Sequence, residues 1–146
     1  MASHPQTQAV VAVGSREQNK TGIDAFAAVV DKNGGIVVAK PWPRPGLDVL
    51  RRVLWAANKV VAVGHTQAGK ATGPTRGWLV TGDAKLGAWQ EHVIQTKGTT
   101  RLTDVTLAGQ TTYAVGWTQT DGANGQDGYL TAFDLNGKLK WSKTFG

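Results

Sequence analysis

Six polar or aromatic residues are candidates for binding a ligand, because they lie in or beside three long polar segments. The segments are 15–23, 65–76 and 117–127. The candidate residues are Arg16, His65, Arg76, Trp117, Gln119 and Asp127. Their charged and amide groups can form directional hydrogen bonds, and a tryptophan ring can stack on a sugar or an aromatic ligand. Because binding groups are commonly carried on loops, we predict a polar binding surface. The alternative is that the segments are solvated connectors and that Trp117 only packs against a sheet edge.

The residue types that most often carry catalysis are sparse. The chain has no cysteine, and its histidines at positions 4, 65 and 92 lack metal-ligand spacing. It contains no phosphate loop, nucleophile elbow or His-Glu-x-x-His motif. Oxygen ligands crowd the segment from Asp121 to Asp127, but their spacing departs from that of calcium loops, which favours a turn. We therefore expect no catalytic residue, no metal site and no cofactor, and favour a protein that is not an enzyme.

The net charge of +6 would suit an anionic partner such as nucleic acid, an acidic glycan or phospholipid headgroups. However, the lysines and arginines are dispersed, and no basic run alternates with stacking aromatic residues. This pattern favours a solvated surface and gives no specific nucleic-acid signal. No apolar run is long enough to span a membrane, and residues 1–8 have neither the basic nor the apolar region of a signal peptide.

An internal repeat of about 50 residues organises the chain. Val-Ala-Val-Gly ends at Gly14 and again at Gly64, and Tyr-Ala-Val-Gly ends at Gly116. A polar segment, an aromatic residue and an aspartate follow each glycine in the same order. The aromatic residues are Phe26, Trp78 and Tyr129, and the aspartates are Asp31, Asp83 and Asp134. We expect the aromatic residues to lie in the core and the aspartates to cap turns.

Each repeat has the pattern of antiparallel strands. The Val-x-Val alternation has a period of two, as in a strand with one buried face, and Asn-Gly pairs are typical of hairpin turns. The sequence therefore predicts one all-β domain of three four-stranded units, at about 9–45, 46–98 and 99–146. The first unit has no convincing inner strand, because residues 1–8 do not match the segment 51–59.

The repeats resemble those of bacterial β-propellers, a group that includes the quinoprotein-like and secreted propeller-type blades. The clearest likeness is in the third repeat, where Ala132-x-Asp134, Gly137-Lys138 and Trp141 are similar to the docking-tryptophan motif of quinoprotein blades. The first two repeats depart from it, with Ala39 and Glu91 where the tryptophan would fall. The likeness covers nearly the whole chain but indicates architecture more than activity.

The resemblance implies a periplasmic or secreted protein and half of a six-bladed propeller, because three blades are too few to close a ring. Self-association into a homodimer, or a larger parent chain, would then complete the ring. A β-trefoil, which also has three four-stranded units, is the alternative fold. The predicted function is a non-enzymatic module that binds a glycan or protein ligand through its polar loop face. The alternatives are a fragment of a quinoprotein-like enzyme and a sensing or regulatory domain of a larger protein.

Overall fold

The computed structural model describes residues 1–18, 22–120 and 124–146. Over these residues the chain is all-β, with 66% of its residues in strands and no helix. Twelve strands form two sheets, and neither sheet closes on itself. Within the described ranges there is accordingly no helix of the length and apolar character needed to cross a membrane. The all-β class predicted from the sequence is confirmed.

The strands follow one another along the chain as three antiparallel meanders. The first meander consists of β1 (Ala2–Ser3), β2 (Val10–Gln18), β3 (Gly22–Val30) and β4 (Ile36–Pro41). The second consists of β5 (Gly46–Ala56), β6 (Lys59–Thr66), β7 (Arg76–Asp83) and β8 (Gln90–Val93). The third consists of β9 (Gly98–Ala108), β10 (Thr111–Thr120), β11 (Asp127–Asp134) and β12 (Leu139–Phe145). A short parallel pairing of β3 with β5 joins the first two meanders into an eight-stranded sheet.

The first strand of the first meander is only a stub. Ala2 and Ser3 pair with Val11 and Val10, whereas β5 and β9 each run for 11 residues along their neighbours. The absence of a full inner strand before Val10 is therefore as the sequence predicted. Among the described residues, no strand pairs with the inner edge of β2 beyond Val11.

Identical turns close the hairpins between the third and fourth strands. The Oδ1 atom of Asp31 accepts hydrogen bonds from the backbone N–H groups of Asn33 and Gly35, at 2.8 and 2.9 Å. Asp83 and Asp134 make the same pair of bonds in their own turns. In the third turn these bonds, led by the one from the backbone of Lys138, lower the pKa of Asp134. The prediction that the three aspartates cap turns is confirmed.

Two apolar clusters lie on the two sides of the second meander, so that β6 is buried along almost its whole length. Trp78 and Val80 face the first meander, and Val61, Val63 and Leu79 face the third. Side chains of a strand alternate between its two faces, and here both faces are apolar because each packs against a neighbouring meander. The second meander is thus the centre of the fold.

Two expectations need correction. Trp78 and Tyr129 are 0% and 6% exposed, as predicted for core residues, but Phe26 is partly exposed because it lies on the face of the first meander that is turned away from the second. The strands also run further than the polar composition suggested, since β2 continues to Gln18 and β10 to Thr120. Of the three long polar segments, only residues 67–75 form a long connection that is wholly described.

Candidate ligand-binding site at the loop end

The six predicted residues all lie toward one end of the sheets, called the loop end here. It is the end at which β2, β6 and β10 finish and β3, β7 and β11 begin. Neighbouring meanders are joined at this end by the pairing of Gly22 with Gly46 and by a 2.9 Å hydrogen bond from the backbone N–H of Thr100 to the carbonyl of Thr75. Residues from different meanders can therefore approach one another there.

A chain of polar contacts crosses the boundary between the second and third meanders. Arg101 on β9 donates through Nε to the Thr75 hydroxyl, at 3.2 Å, and its guanidinium lies 5.4 Å from the centre of the Trp117 ring. Arg76 donates through Nη1 to the carbonyl of Thr96. We call this group of five residues the polar seam. It gathers two guanidinium groups and one indole from two meanders.

Hydroxyl groups extend the polar seam along the same boundary. The Thr100 hydroxyl lies 2.6 Å from that of Thr96 and 3.0 Å from that of Thr118. Thr100 is fully buried, so its position is fixed by packing as well as by hydrogen bonds. The hydroxyl chain joins β9 to β10 and to the segment that precedes β9.

A polar cleft of about 250 Å³ lies beside the seam, under the connection between β6 and β7. Its lining includes Gln67, Lys70, Thr72, Arg76, Val93 and Gln95. Gln67 fixes the connection, because its Oε1 accepts from the backbone N–H of Leu47 and its Nε2 donates to the carbonyl of Gly73, both at 2.8 Å. The cleft is therefore bounded by a braced loop, and it carries the charges of one lysine and one arginine.

His65 lies inside the protein, 1% exposed, with no hydrogen-bond partner at Nδ1 among the described residues. Burial, followed by the charges of Arg101 and Arg51, lowers the pKa of His65 to about 4. The imidazole is consequently neutral at neutral pH. Because it is buried, His65 has no surface to offer a ligand.

A second polar cluster lies between the first and second meanders. Arg44 donates to both carboxylate oxygens of Asp48, at 2.9 and 3.0 Å, and to Glu91 at 2.9 Å. Trp42 donates through Nε1 to the same Glu91, at 3.0 Å, and the Arg44 guanidinium lies 5.0 Å from the Trp78 ring. Both carboxylates are held by fixed partners, so this cluster serves to join the two meanders.

The remaining predicted residues lie outside the seam. Arg16 is exposed on the first meander, opposite Asp24 in the pairing of β2 with β3. Gln119 is half-buried near the end of β10, and Asp127 is exposed at the start of β11. Only Arg76 and Trp117 of the six thus contribute to the seam. Arg101 and the Arg44 cluster were missed, because β9 and the Pro-rich passage before β5 give no local signal of what they contact.

No group of three His, Cys, Asp or Glu side chains placed to hold a metal ion occurs in the described parts of the chain. Asp121, one of the oxygen ligands considered for calcium, lies outside the described residues. Comparison with known protein families found no family model that matches the chain. A search of curated proteins found no match either.

Proposed function

We propose that this chain is a propeller-type binding module, not an enzyme, and that the polar seam and cleft at its loop end take a polar ligand. Three features support the propeller-type arrangement over a trefoil. The four strands of each meander pair in chain order, the meanders pack face to face, and neither sheet closes. In such an arrangement the loop ends of successive units form a common surface.

The observation that carries the proposal is that Arg76 lines an open polar cleft, while Arg101, which lies on the Trp117 ring, bonds to Thr75, the residue before Arg76. Guanidinium groups favour carboxylate and sulfate oxygens, and an indole ring stacks on the apolar face of a sugar. Lys70 adds a third positive charge. This set of groups fits an acidic glycan better than a neutral or cationic ligand.

The ionisable groups at the loop end also favour binding over catalysis. Asp48 and Glu91 are engaged by Arg44, and His65 is buried with its pKa lowered to about 4. A general acid or base must exchange a proton near the pH at which the enzyme works, and it must reach the substrate. The seam instead offers fixed positive charges, which suit recognition.

Binding to an array of neutral and acidic glycans, followed by calorimetry on any hit, would test this proposal. We expect acidic glycans to bind, with affinity that falls as salt rises because surface charges are screened. Arg76→Gln and Trp117→Ala should each weaken binding about tenfold, the effect of losing roughly 1.4 kcal/mol. Arg52→Gln is the matched control, since Arg52 pairs with Asp104 outside the seam.

Two results would contradict the proposal. One is an array on which no acidic glycan binds the folded wild-type protein. The other is wild-type affinity in both Arg76→Gln and Trp117→Ala. Circular dichroism of each variant would show that a lost signal does not come from unfolding.

A further inference from the structure

The three meanders carry equivalent residues at matching points of their registers. In each, a glycine of the second strand lies opposite an aromatic residue of the third strand. These pairs are Gly14 with Phe26, Gly64 with Trp78, and Gly116 with Tyr129. Since strand register fixes the face on which each side chain lies, counting from these pairs identifies positions that face the same way in all three meanders.

One such position lies at the end of the outermost strand and faces the following meander. It is occupied by Trp42, Ile94 and Phe145, which lie opposite Ala25, Gly77 and Gly128 in turn. Trp42 and Ile94 are 5% and 7% exposed, because each is covered by the next meander. Phe145 is 56% exposed. The third meander thus exposes an aromatic side chain at the position where the first two meanders have a buried apolar side chain.

The second strand shows the same difference. Val61 and Val63 of the second meander are buried against the third, but the equivalent residues of the third meander are Tyr113 and Val115, and Val115 is 44% exposed. With Leu130 they line a mostly apolar groove of about 300 Å³. We call the surface formed by Tyr113, Val115, Leu130 and Phe145 the third-meander outer face.

The first meander has the complementary surface. Trp78 and Tyr129 are buried against the meander that precedes them, whereas their equivalent Phe26 is partly exposed. Around Phe26, the residues Ala12, Ala28 and Val30 are also only half-buried. We call these four residues the first-meander outer face. The chain therefore contains this interface twice. Its first and third meanders each leave one side of such an interface without a covering meander.

We propose that the third-meander outer face of one copy packs on the first-meander outer face of a second copy, and that two copies close into a ring of six meanders. We take the partner to be a second copy because the same two kinds of face already pack on each other twice within one chain. They do so between the first and second meanders and between the second and third. Burial of apolar side chains such as Val115 and Phe145 would provide the main driving force. A head-to-tail contact between two copies closes into a ring when the rotation between the copies also brings their other two faces together. Trp117 lies on the same side of β10 as Val115, at the register position of the buried His65. In the ring Trp117 therefore lies at this interface, and a ligand at the loop end would bind through Arg76 and the cleft.

The far end of the sheets supplies a further matching contact. His92 of the second meander lies against the turn of the third meander at Gly137. The residue equivalent to His92 in the third meander is Lys143, since the two lie opposite Leu79 and Leu130. In an interface of the same geometry, Lys143 lies against the turn 31–35 of the second copy.

Sedimentation equilibrium over protein concentrations of roughly 1 to 100 µM would test the assembly. We expect a species of twice the chain mass. Val115→Lys and Phe145→Asp should raise its dissociation constant at least tenfold, because each places a charge in the apolar contact. Leu139→Lys is the matched control: Leu139 is 49% exposed but faces the second meander within a groove shared with His92 and Ser142.

Cross-linking would test which faces meet. Lys59 of the second meander donates to Asn136 in the turn of the third, so the equivalent pair between copies is Thr111 with Asn33. The chain has no native cysteine. A short bismaleimide should therefore link Thr111→Cys protein to Asn33→Cys protein in a mixture, and should link neither protein to itself.

A wild-type protein that stays monomeric and folded across this range would overturn the proposal. Masses that keep growing beyond two copies would overturn the closed ring and indicate an open head-to-tail filament. Cross-linking of Thr111→Cys protein to itself would overturn the pairing of unlike faces.

Discussion

Gly64 lies directly against the backbone of Val49, so that a Cβ built on Gly64 would overlap the Val49 carbonyl oxygen. Gly116 has the same relationship to the carbonyl of Arg101. Both glycines lie opposite a β-bulge in the inner strand, after Leu50 and after Leu102. A bulge shifts the backbone of one strand toward its neighbour, and here only glycine leaves room for it.

Gly64→Ala and Gly116→Ala should therefore each destabilise the protein by roughly 2 to 4 kcal/mol, because the added methyl group must move a backbone carbonyl. Gly14→Ala is the natural control. Its Cβ would approach only the ring of Phe26, at 3.0 Å, and that ring lies on a partly open face. We expect a loss below about 1 kcal/mol there. Urea unfolding would measure all three, and equal losses would contradict the bulge explanation.

The two arginine–aspartate pairs should differ sharply in their contribution to stability. Asp48 is fully buried and paired with Arg44, so Arg44→Met would leave a buried carboxylate without its partner and cost about 3 to 5 kcal/mol. Arg52 and Asp104 are 56% and 52% exposed, and Arg52→Met should cost less than about 1 kcal/mol. Guanidinium-induced unfolding would compare them. Similar losses of stability in the two variants would contradict the inference that burial makes the Arg44–Asp48 pair the more important one.

The two-residue turns between the first and second strands should respond in opposite ways to exchanging alanine and glycine. Ala57 is exposed and has a φ of 54°, a conformation that costs a non-glycine residue about 1 kcal/mol. Gly109 occupies the matching turn with a φ of 60°. We expect Ala57→Gly to raise the thermal midpoint and Gly109→Ala to lower it, each by a few degrees. Scanning calorimetry would check the signs, and a shift in the same direction for both would contradict this account.

His65 should make folding stability depend on pH in the mildly acidic range. In the unfolded chain a histidine takes up its proton near pH 6.5, whereas the pKa of His65 in the folded protein is about 4. Between these values the unfolded state binds more protons, so the free energy of unfolding falls as pH falls. The effect should reach roughly 2 to 3 kcal/mol and be complete by about pH 4.

His65→Gln should remove this dependence, so the difference between variant and wild type across pH 7 to about 4 isolates it. Urea unfolding at several pH values would measure the difference. The imidazole signals of His65, followed by NMR, should stay unchanged down to about pH 5. If His65 titrates near pH 6.5 instead, burial does not lower its pKa and the explanation is wrong.

Much of the architecture was predictable because the repeat places the same local chemistry in the same order. The aspartate-capped turns and the alternating valines predicted an all-β fold with hairpins, and the burial of Trp78 and Tyr129 followed. Phe26 has the same sequence pattern and yet is partly exposed. A pattern of side chains states which face of a strand is apolar, but it does not state whether another sheet covers that face.

The candidate site was less predictable. The polar segments pointed to one end of the sheets, where the structure places Arg76 and Trp117 among the residues of the seam. The role of Arg101 could not be predicted, because its partners are distant in sequence. Thr75 and Trp117 are 26 and 16 residues away, and they contact Arg101 only through strand pairing and packing. His65 looked like a surface ligand because it follows a strand, but the neighbouring meander buries it.

The sequence by itself determined the strands, the turns and the order of the repeated units, because these depend on alternation and backbone chemistry within a few residues. Only the tertiary structure decided which charged groups are paired, which histidine is buried, and which apolar faces stay open. Those properties depend on contacts between segments about 50 residues apart, and no local pattern specifies which of two similar faces will be covered.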